Sequence, residues 1–113
     1  MKHLIKYIFL LFFFQSFAQD VIQHKVYLVG DAGEDTSPGK ALLMLKEELL
    51  ANPNSSVIFL GDNVYPSGLK KNDKESVLHL ESQLQILKEY KGNVFFIPGN
   101  HDWQAQKRNG LRI

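Results

Sequence analysis

Three short apolar runs recur along the chain, at residues 26–29, 57–60 and 94–97. Each is rich in β-branched and aromatic side chains, and each is continuous and does not alternate with polar residues. Continuous apolar runs are typical of strands that are covered on both faces, as in the parallel sheets of α/β proteins. We therefore predict three buried strands.

The first helical pattern lies between the first two runs, at residues 40–52. Ser37 is the expected N-cap and Pro38 suits the first turn, while Asn52 and Pro53 end the pattern. Leucines at helical spacing predict its buried face. They are Leu42, Leu45 and Leu49.

The second helical pattern follows the second run, at residues 73–92. Asn72 and Glu75 have the spacing of a capping box, and Gly92 is the expected stop. Its predicted core stripe consists of Val77, Leu80, Leu84 and Leu87. The order strand, helix, strand, helix, strand predicts an α/β fold with right-handed crossovers and a largely parallel sheet.

The N-terminal sequence is typical of a secretory signal peptide. Two lysines precede an apolar run at residues 7–14, and residues 16–18 resemble a small-residue cleavage site. The run is shorter than the roughly 20 residues that a membrane-spanning helix needs. We predict a signal peptide at residues 1–18, export to the periplasm or the exterior, and no stable membrane partner after cleavage. An uncleaved anchor is the alternative.

Composition and charge narrow the function classes. The 13 basic and 12 acidic residues give a net charge of +1, and removing residues 1–18 takes away two bases and no acid. A nucleic-acid partner would need a basic face, so none is predicted. Because the chain has no cysteine, an exported product would depend on its core or on bound metal, and not on disulfides.

A glycine and then a polar side chain follow each apolar run. Asp31 and Asp62 come directly after Gly30 and Gly61, and Asn100 follows the third run. Ligands collect at the carboxyl ends of parallel strands, so we expect these three polar side chains to converge on one edge of the sheet. Neighbouring carboxylates repel each other and call for a cation, and oxygen ligands suit hard metal ions.

These segments, GDAG at residues 30–33, GDNVY at 61–65 and GNHD at 99–102, resemble the first three of five signature blocks of the calcineurin-like metallophosphoesterases. The resemblance is closest to the purple acid phosphatase branch, because Gly33 lies two residues after the first aspartate and Tyr65 follows the second. It implies the first half of an αββα sandwich, in which two stacked mixed sheets are flanked by helices.

The resemblance also implies a two-metal centre, with iron paired with zinc, manganese or a second iron. Asp31 and Tyr65 would bind the first metal, Asp62 would bridge both, and Asn100 would bind the second. A phenol coordinates well only as phenolate, which requires a strongly polarising ion such as ferric iron. The alternatives without a metal-binding role are that Tyr65 packs against the loop and that Asn100 is a turn residue.

The implied reaction is hydrolysis of a phosphate monoester or diester by a metal-bound hydroxide. His101 would lie beside the substrate, where it stabilises the phosphoryl charge or protonates the leaving oxygen. Asp102 would orient the His101 imidazole, the alternative being a local turn hydrogen bond.

The last two family blocks, Val-x-x-His and Gly-His-x-His, do not occur in the 113 residues. They would supply three histidine ligands, and neither His24 before the first strand nor His79 in the second helix replaces them. We expect residues 19–113 to be the N-terminal part of a longer metallophosphoesterase domain. The alternative is a catalytically inactive partial domain that binds metal or phosphate weakly at most.

Two other phosphate-handling classes fit less well. A nucleotide-binding phosphate loop needs four residues between its glycines and a Ser or Thr after its lysine, whereas five residues separate Gly33 from Gly39 and Ala41 follows Lys40. An aspartyl-nucleophile phosphatase would pair Asp31 with an acid two residues later, where this chain has Gly33.

Overall fold

The computed structural model describes residues 21–104 and has an α/β fold. The predicted order of strands and helices is confirmed, with strand bounds within one or two residues of the apolar runs. The predicted signal peptide lies outside the described residues. In chain order the elements are β1 (Lys25–Val29), α1 (Lys40–Ala51), β2 (Ser55–Phe59), α2 (Lys74–Ile86), β3 (Asn93–Phe96) and the short helix α3 (Asn100–Gln104).

The three strands form one parallel sheet in the order β1-β2-β3. Val29 is the register partner of Phe59, and Phe59 is the register partner of Phe96. The strands therefore end side by side, and the three loops that follow them begin at the same edge of the sheet.

The core lies between one face of the sheet and the helices. Val57 and Phe59 of β2 pack against Leu42 and Leu49 of α1 and Ile86 of α2, and all five are buried. The Phe59 and Phe96 rings stack with their centroids 4.4 Å apart. Burying a side chain of this size stabilises a fold by about 1.5–3 kcal/mol, so this cluster holds the sheet against both helices.

On the opposite face the two edge strands are exposed within residues 21–104, so the prediction of strands covered on both faces is wrong for them, whereas Ser56 and Ile58 of β2 are not exposed. Val26, Leu28 and Phe95 keep 55%, 63% and 54% of their surface accessible. The strands follow one another in one direction across the sheet, and crossovers of one hand then place both helices on the same face.

The first helix begins at Lys40 as predicted, but both predicted N-caps are wrong. The N-cap of α1 is Gly39 and not Ser37, and no side chain caps it. The N-cap of α2 is Asp73, whose carboxylate accepts a hydrogen bond from the Glu75 amide at 3.1 Å. Asn72 instead has a positive φ of 64°, which makes it a turn residue ahead of the cap.

The leucine stripe predicted for α1 is confirmed, because Leu42 and Leu49 are buried and Leu45 packs against the same cluster. The stripe predicted for α2 is confirmed only in part, because Leu87 packs against the core cluster and Leu80 is half-buried. Val77 and Leu84 are exposed, and α2 ends at Ile86, well before Gly92. Its buried face is largely polar and consists of Ser76, His79, Ser82, Gln83 and Ile86. Two of these side chains bond the backbone of the loop after β2: Gln83 donates to the Asn63 carbonyl, and Ser76 accepts from the Lys70 amide.

Among residues 21–104, no helix is both long enough and apolar enough to cross a membrane.

Candidate functional site

The loops after β1 and β2 are joined along their backbones. The amides of Asp31 and Gly33 donate to the carbonyls of Gly61 and Asp62 at 3.3 and 3.1 Å, and the Tyr65 amide donates to Gly33 at 3.0 Å. A Cβ atom at Gly33 would collide with the backbone of the second loop. Gly33 therefore has a packing role of its own, because only glycine allows the two loops to approach this closely.

The loop after β3 packs equally closely against the loop after β2. A Cβ atom at Gly99 would collide with the backbone nitrogen and the carboxylate of Asp62. A Cβ atom at Gly61, which has a φ of +121°, would lie 2.7 Å from the Gly99 Cα. All three loops therefore form one contiguous surface at the carboxyl edge of the sheet.

Asp31 and Asp62 converge on the hydroxyl of Tyr65. Tyr65 Oη lies 2.7 Å from Asp31 Oδ1 and 3.2 Å from Asp62 Oδ2. A phenol has one proton to donate, so two carboxylates share a single donor. The hydrogen bond to Asp31 is the largest cause of a raised Tyr65 pKa, followed by desolvation and the hydrogen bond to Asp62. Asp31 and Asp62, two of the three side chains predicted to converge, thus meet at the Tyr65 hydroxyl.

Both aspartates have left-handed backbone conformations, with φ of 54° at Asp31 and 53° at Asp62. This conformation costs a non-glycine residue about 1–2 kcal/mol, although aspartate tolerates it better than most residues. Such strain persists only where surrounding contacts fix the backbone, and it concentrates at functional sites. Here the inter-loop hydrogen bonds provide those contacts.

His101 lies beside this group. Its backbone amide donates to Asp62 Oδ1 at 3.0 Å, and its ring centroid is 4.5 Å from that of Tyr65. His101 Nδ1 lies 2.6 Å from the Pro66 carbonyl oxygen. Because a carbonyl only accepts, Nδ1 carries a proton and donates it, which leaves Nε2 as the nitrogen that can face a ligand.

Asp102 does not orient the His101 ring, and that predicted contact is wrong. Its carboxylate accepts hydrogen bonds from the backbone amides of Gly99, Asn63 and Val64 at 2.7, 2.9 and 3.0 Å. It also accepts from Asn63 Nδ2 at 3.0 Å. Asp102 lies in the first turn of α3, facing the unpaired amides of the loop after β2, and those donors determine its position.

Asn100 is exposed at the start of α3. Its two neighbours, Gly99 and His101, both approach Asp62. The backbone of Asn100 therefore lies next to Asp62, at the edge where the sequence predicts it.

Sequence reasoning missed the buried polar residues behind the site, chiefly Asn63 and Gln83. Gln83 is fully buried, and its Nε2 donates to the Asn63 carbonyl at 2.6 Å. The spacing of Ser76, His79, Gln83 and Ile86 was the available signal, because it is helical and runs along one face. The leucines at helical spacing on the neighbouring face predicted a different buried face.

The donor atoms that meet at this edge are all oxygens. Two carboxylates with one shared proton form an arrangement that a hard cation would stabilise, and Tyr65 and Asn100 could add neutral or ionised oxygen ligands. Within residues 21–104, no three His, Cys, Asp or Glu side chains are grouped closely enough to hold a metal ion. The described residues thus bring together two carboxylates and one phenol at this edge of the sheet.

A cavity of about 310 Å³ borders Asp31. Its lining includes Glu34, Asp35, Gly39 and Lys40. The lining also includes Val29 and Leu42, so this cavity between the end of β1 and the start of α1 has both charged and apolar walls.

Comparison with known proteins gives one family. The family model for calcineurin-like phosphoesterases matches residues 24–112, a span that includes all three loops. Searches of curated proteins and of solved structures gave no match.

Proposed function

The chain belongs to the calcineurin-like phosphoesterase family, whose members hydrolyse phosphate esters with divalent metal ions, and from this premise we propose an acid phosphatase-like site with two metal ions. The observation that carries the proposal is the Tyr65 hydroxyl within hydrogen-bond distance of both Asp31 and Asp62. Asp31 and Tyr65 would bind the first ion, and Asn100 would bind the second. Asp62 would bind both ions. Bound cations would neutralise phosphoryl charge and activate a water molecule.

The purple acid phosphatase branch, with iron and a partner of zinc, manganese or iron, is part of this proposal. Its support is the position of Tyr65, whose phenol contacts the carboxylate that would share its metal. Gly33 supports the branch less, because glycine there already has a packing reason.

His101 is the proposed contact to the phosphate ester. The Pro66 carbonyl holds Nδ1 and the Tyr65 ring lies against the imidazole, so the ring has a fixed orientation before substrate arrives. Nε2 would face the phosphoryl or leaving oxygen. Asp102 would act through the backbone of the loop after β2 and would not contact substrate.

The proposed location is outside the cytoplasm, and its support is the signal-like sequence of residues 1–18. The substrate class is a phosphate ester, and no basic face for nucleic acid is indicated by the charge balance.

A second candidate function is a partial domain without catalysis, which binds metal or phosphate weakly. The observation that favours it is the donor set, because in the part of the chain that the structure describes only two carboxylates meet at the site and no three metal-binding acids, histidines or cysteines are grouped. Hydrolysis with two ions would then need further ligands.

Turnover of a generic aryl phosphate separates the two candidates. The chain is assayed with added iron, zinc or manganese, beside a metal-only blank and the Asp62→Asn variant. The enzyme proposal expects turnover above the blank that Asp62→Asn loses. Equal rates for the chain, the variant and the blank would favour the inactive partial domain.

A further inference from the structure

The buried face of α2 contains polar side chains that the site described above does not use. Gln83 is fully buried and His79 retains 7% of its surface, whereas the leucines at 78 and 84 are exposed on the same helix. Gln83 Oε1 and His79 Nδ1 have no hydrogen-bond partner among the described residues. The helix therefore buries the Gln83 amide and the His79 imidazole while its leucines at 78 and 84 stay exposed, and burying polar groups without partners costs free energy.

Gln83 directs its amide at one peptide of the loop after β2. Its Nε2 donates to the carbonyl of Asn63 at 2.6 Å and to the carbonyl of His79 at 3.1 Å. The first bond reaches across 20 residues, and the second anchors the side chain to its own helix. The Gln83 side chain thus connects α2 to the loop after β2 through hydrogen bonds.

Asn63 is held at both ends of its backbone. Its amide donates to Asp102 on α3, and its carbonyl accepts from Gln83 on α2. Its side-chain Nδ2 donates to the Ile97 carbonyl at the end of β3. Three separate elements therefore fix the residue that follows Asp62.

The hydrogen bonds of Asn63 determine the positions of the neighbouring Asp62 carboxylate and Tyr65 hydroxyl. Asp62 precedes Asn63 directly in a left-handed conformation, and Tyr65 follows two residues later. Rotation of the peptide between Asn63 and Val64 would move the Tyr65 hydroxyl relative to the Asp62 carboxylate. The contact between them, at 3.2 Å, depends on that peptide staying fixed.

We propose that Gln83 is a positioning residue for the metal-binding loop: its hydrogen bond to the Asn63 carbonyl keeps Asp62 and Tyr65 in the geometry that shares a cation. The inference rests on the proposed function for its metal-binding consequence. Its structural consequence, a fixed loop after β2, is testable without metal.

The test compares Gln83→Met with Ser82→Ala in the full chain. Methionine keeps the size of glutamine and removes the donor. Ser82 is buried on the same helix, and its hydroxyl donates to the His79 carbonyl and not to the loop, so it controls for loss of a buried hydrogen bond. Gln83→Asn, which withdraws the same donor while keeping the amide, serves if Gln83→Met does not fold.

Two readouts are needed. Amide hydrogen exchange without metal should rise at least about tenfold at residues 63–65 in Gln83→Met and stay near wild type in Ser82→Ala. Mn²⁺ titration should show an affinity about 10–100-fold weaker in Gln83→Met, the range that supporting residues around metal ligands have in other proteins. Denaturation midpoints show whether the two variants are equally folded.

Unchanged exchange at residues 63–65 in Gln83→Met would overturn the inference. So would faster exchange with wild-type Mn²⁺ affinity, or an affinity loss equal to that of Ser82→Ala. Failure of the wild-type chain to bind Mn²⁺ would contradict the proposed function instead, and the exchange result would then decide the role of Gln83 by itself.

Discussion

Asp102 accepts a hydrogen bond from the backbone amide of Asn63, with oxygens 2.9 and 3.1 Å from the nitrogen, although 39 residues separate the two in sequence. This contact joins the loop after β3 to the loop after β2. It explains how a short helix of five residues keeps its place beside the sheet, and with it the His101 amide that donates to Asp62.

Replacing Asp102 with alanine should destabilise the chain by about 2–3 kcal/mol, because the amides of Asn63, Val64 and Gly99 lose a charged acceptor. The free energy of unfolding from urea titrations measures this. Asp35→Ala, at an exposed carboxylate in the loop after β1, is the control and should change stability by less than about 0.5 kcal/mol. Equal effects of the two substitutions would refute the tie between the loops.

Gly33→Ala should destabilise the fold by about 1–3 kcal/mol, because its Cβ would collide with the backbone of Asn63 and Val64. Gly30→Ala is a matched control from the same loop, since nothing lies within 4 Å of the Cβ it would add. Thermal or urea unfolding compares them. A harmless alanine at position 33 would mean that the two loops are farther apart than described.

Alkaline pH should weaken the metal-free chain through Tyr65. The folded-state pKa of Tyr65 is raised above 10, chiefly by its hydrogen bond to Asp31, so the folded chain holds this proton more tightly than the unfolded chain. The stabilisation is complete below about pH 10 and is lost as the pH rises from there toward the raised pKa. Tyr65→Phe should therefore lose less stability above pH 10 than wild type does.

Tyr27 contributes in the same direction, because desolvation and its hydrogen bond to Glu48 raise its pKa. The comparison is therefore made between wild type and Tyr65→Phe, both of which retain Tyr27. Parallel stability curves from pH 8 to pH 11 would show that the Tyr65 hydroxyl does not bond to the carboxylates.

The packing of α2 is tested by two alanine substitutions. Ile86→Ala should cost about 2–5 kcal/mol, because Ile86 is 1% exposed within the core cluster. Leu84→Ala should cost less than about 1 kcal/mol, since Leu84 is 44% exposed. Urea titrations of both variants measure the free energy of unfolding. A larger loss of stability in Leu84→Ala than in Ile86→Ala would support the apolar stripe that the leucine spacing predicts.

The fold was largely predictable because strand order follows from apolar runs and the spacing between them. Leu42 and Leu49 face the sheet, as their spacing indicates. Val77 and Leu84 do not, because the partner of that part of α2 is a loop carbonyl and not a strand. Periodicity identifies an apolar face, but it does not identify which face of a helix meets a polar loop.

The site was predictable in part for a similar reason. Asp31 and Asp62 meet because parallel strands end at one edge, which is a property of topology. The partners of Asp102 depend on how two loops pack, and a local expectation placed its carboxylate at the neighbouring imidazole instead. The shared Tyr65 hydroxyl lies between these cases, since its spacing from Asp62 is local but its contact with Asp31 is not.

The central claim is that Asp31, Asp62 and Tyr65 hold metal, and a ferric ion titration of the full chain, followed by visible absorption, tests it most directly. Wild type should develop a phenolate-to-iron absorption band, Tyr65→Phe should lose the band while retaining iron, and Asp62→Asn should bind iron at least about tenfold more weakly. Equal iron binding by all three chains, with no band that depends on Tyr65, would contradict the account.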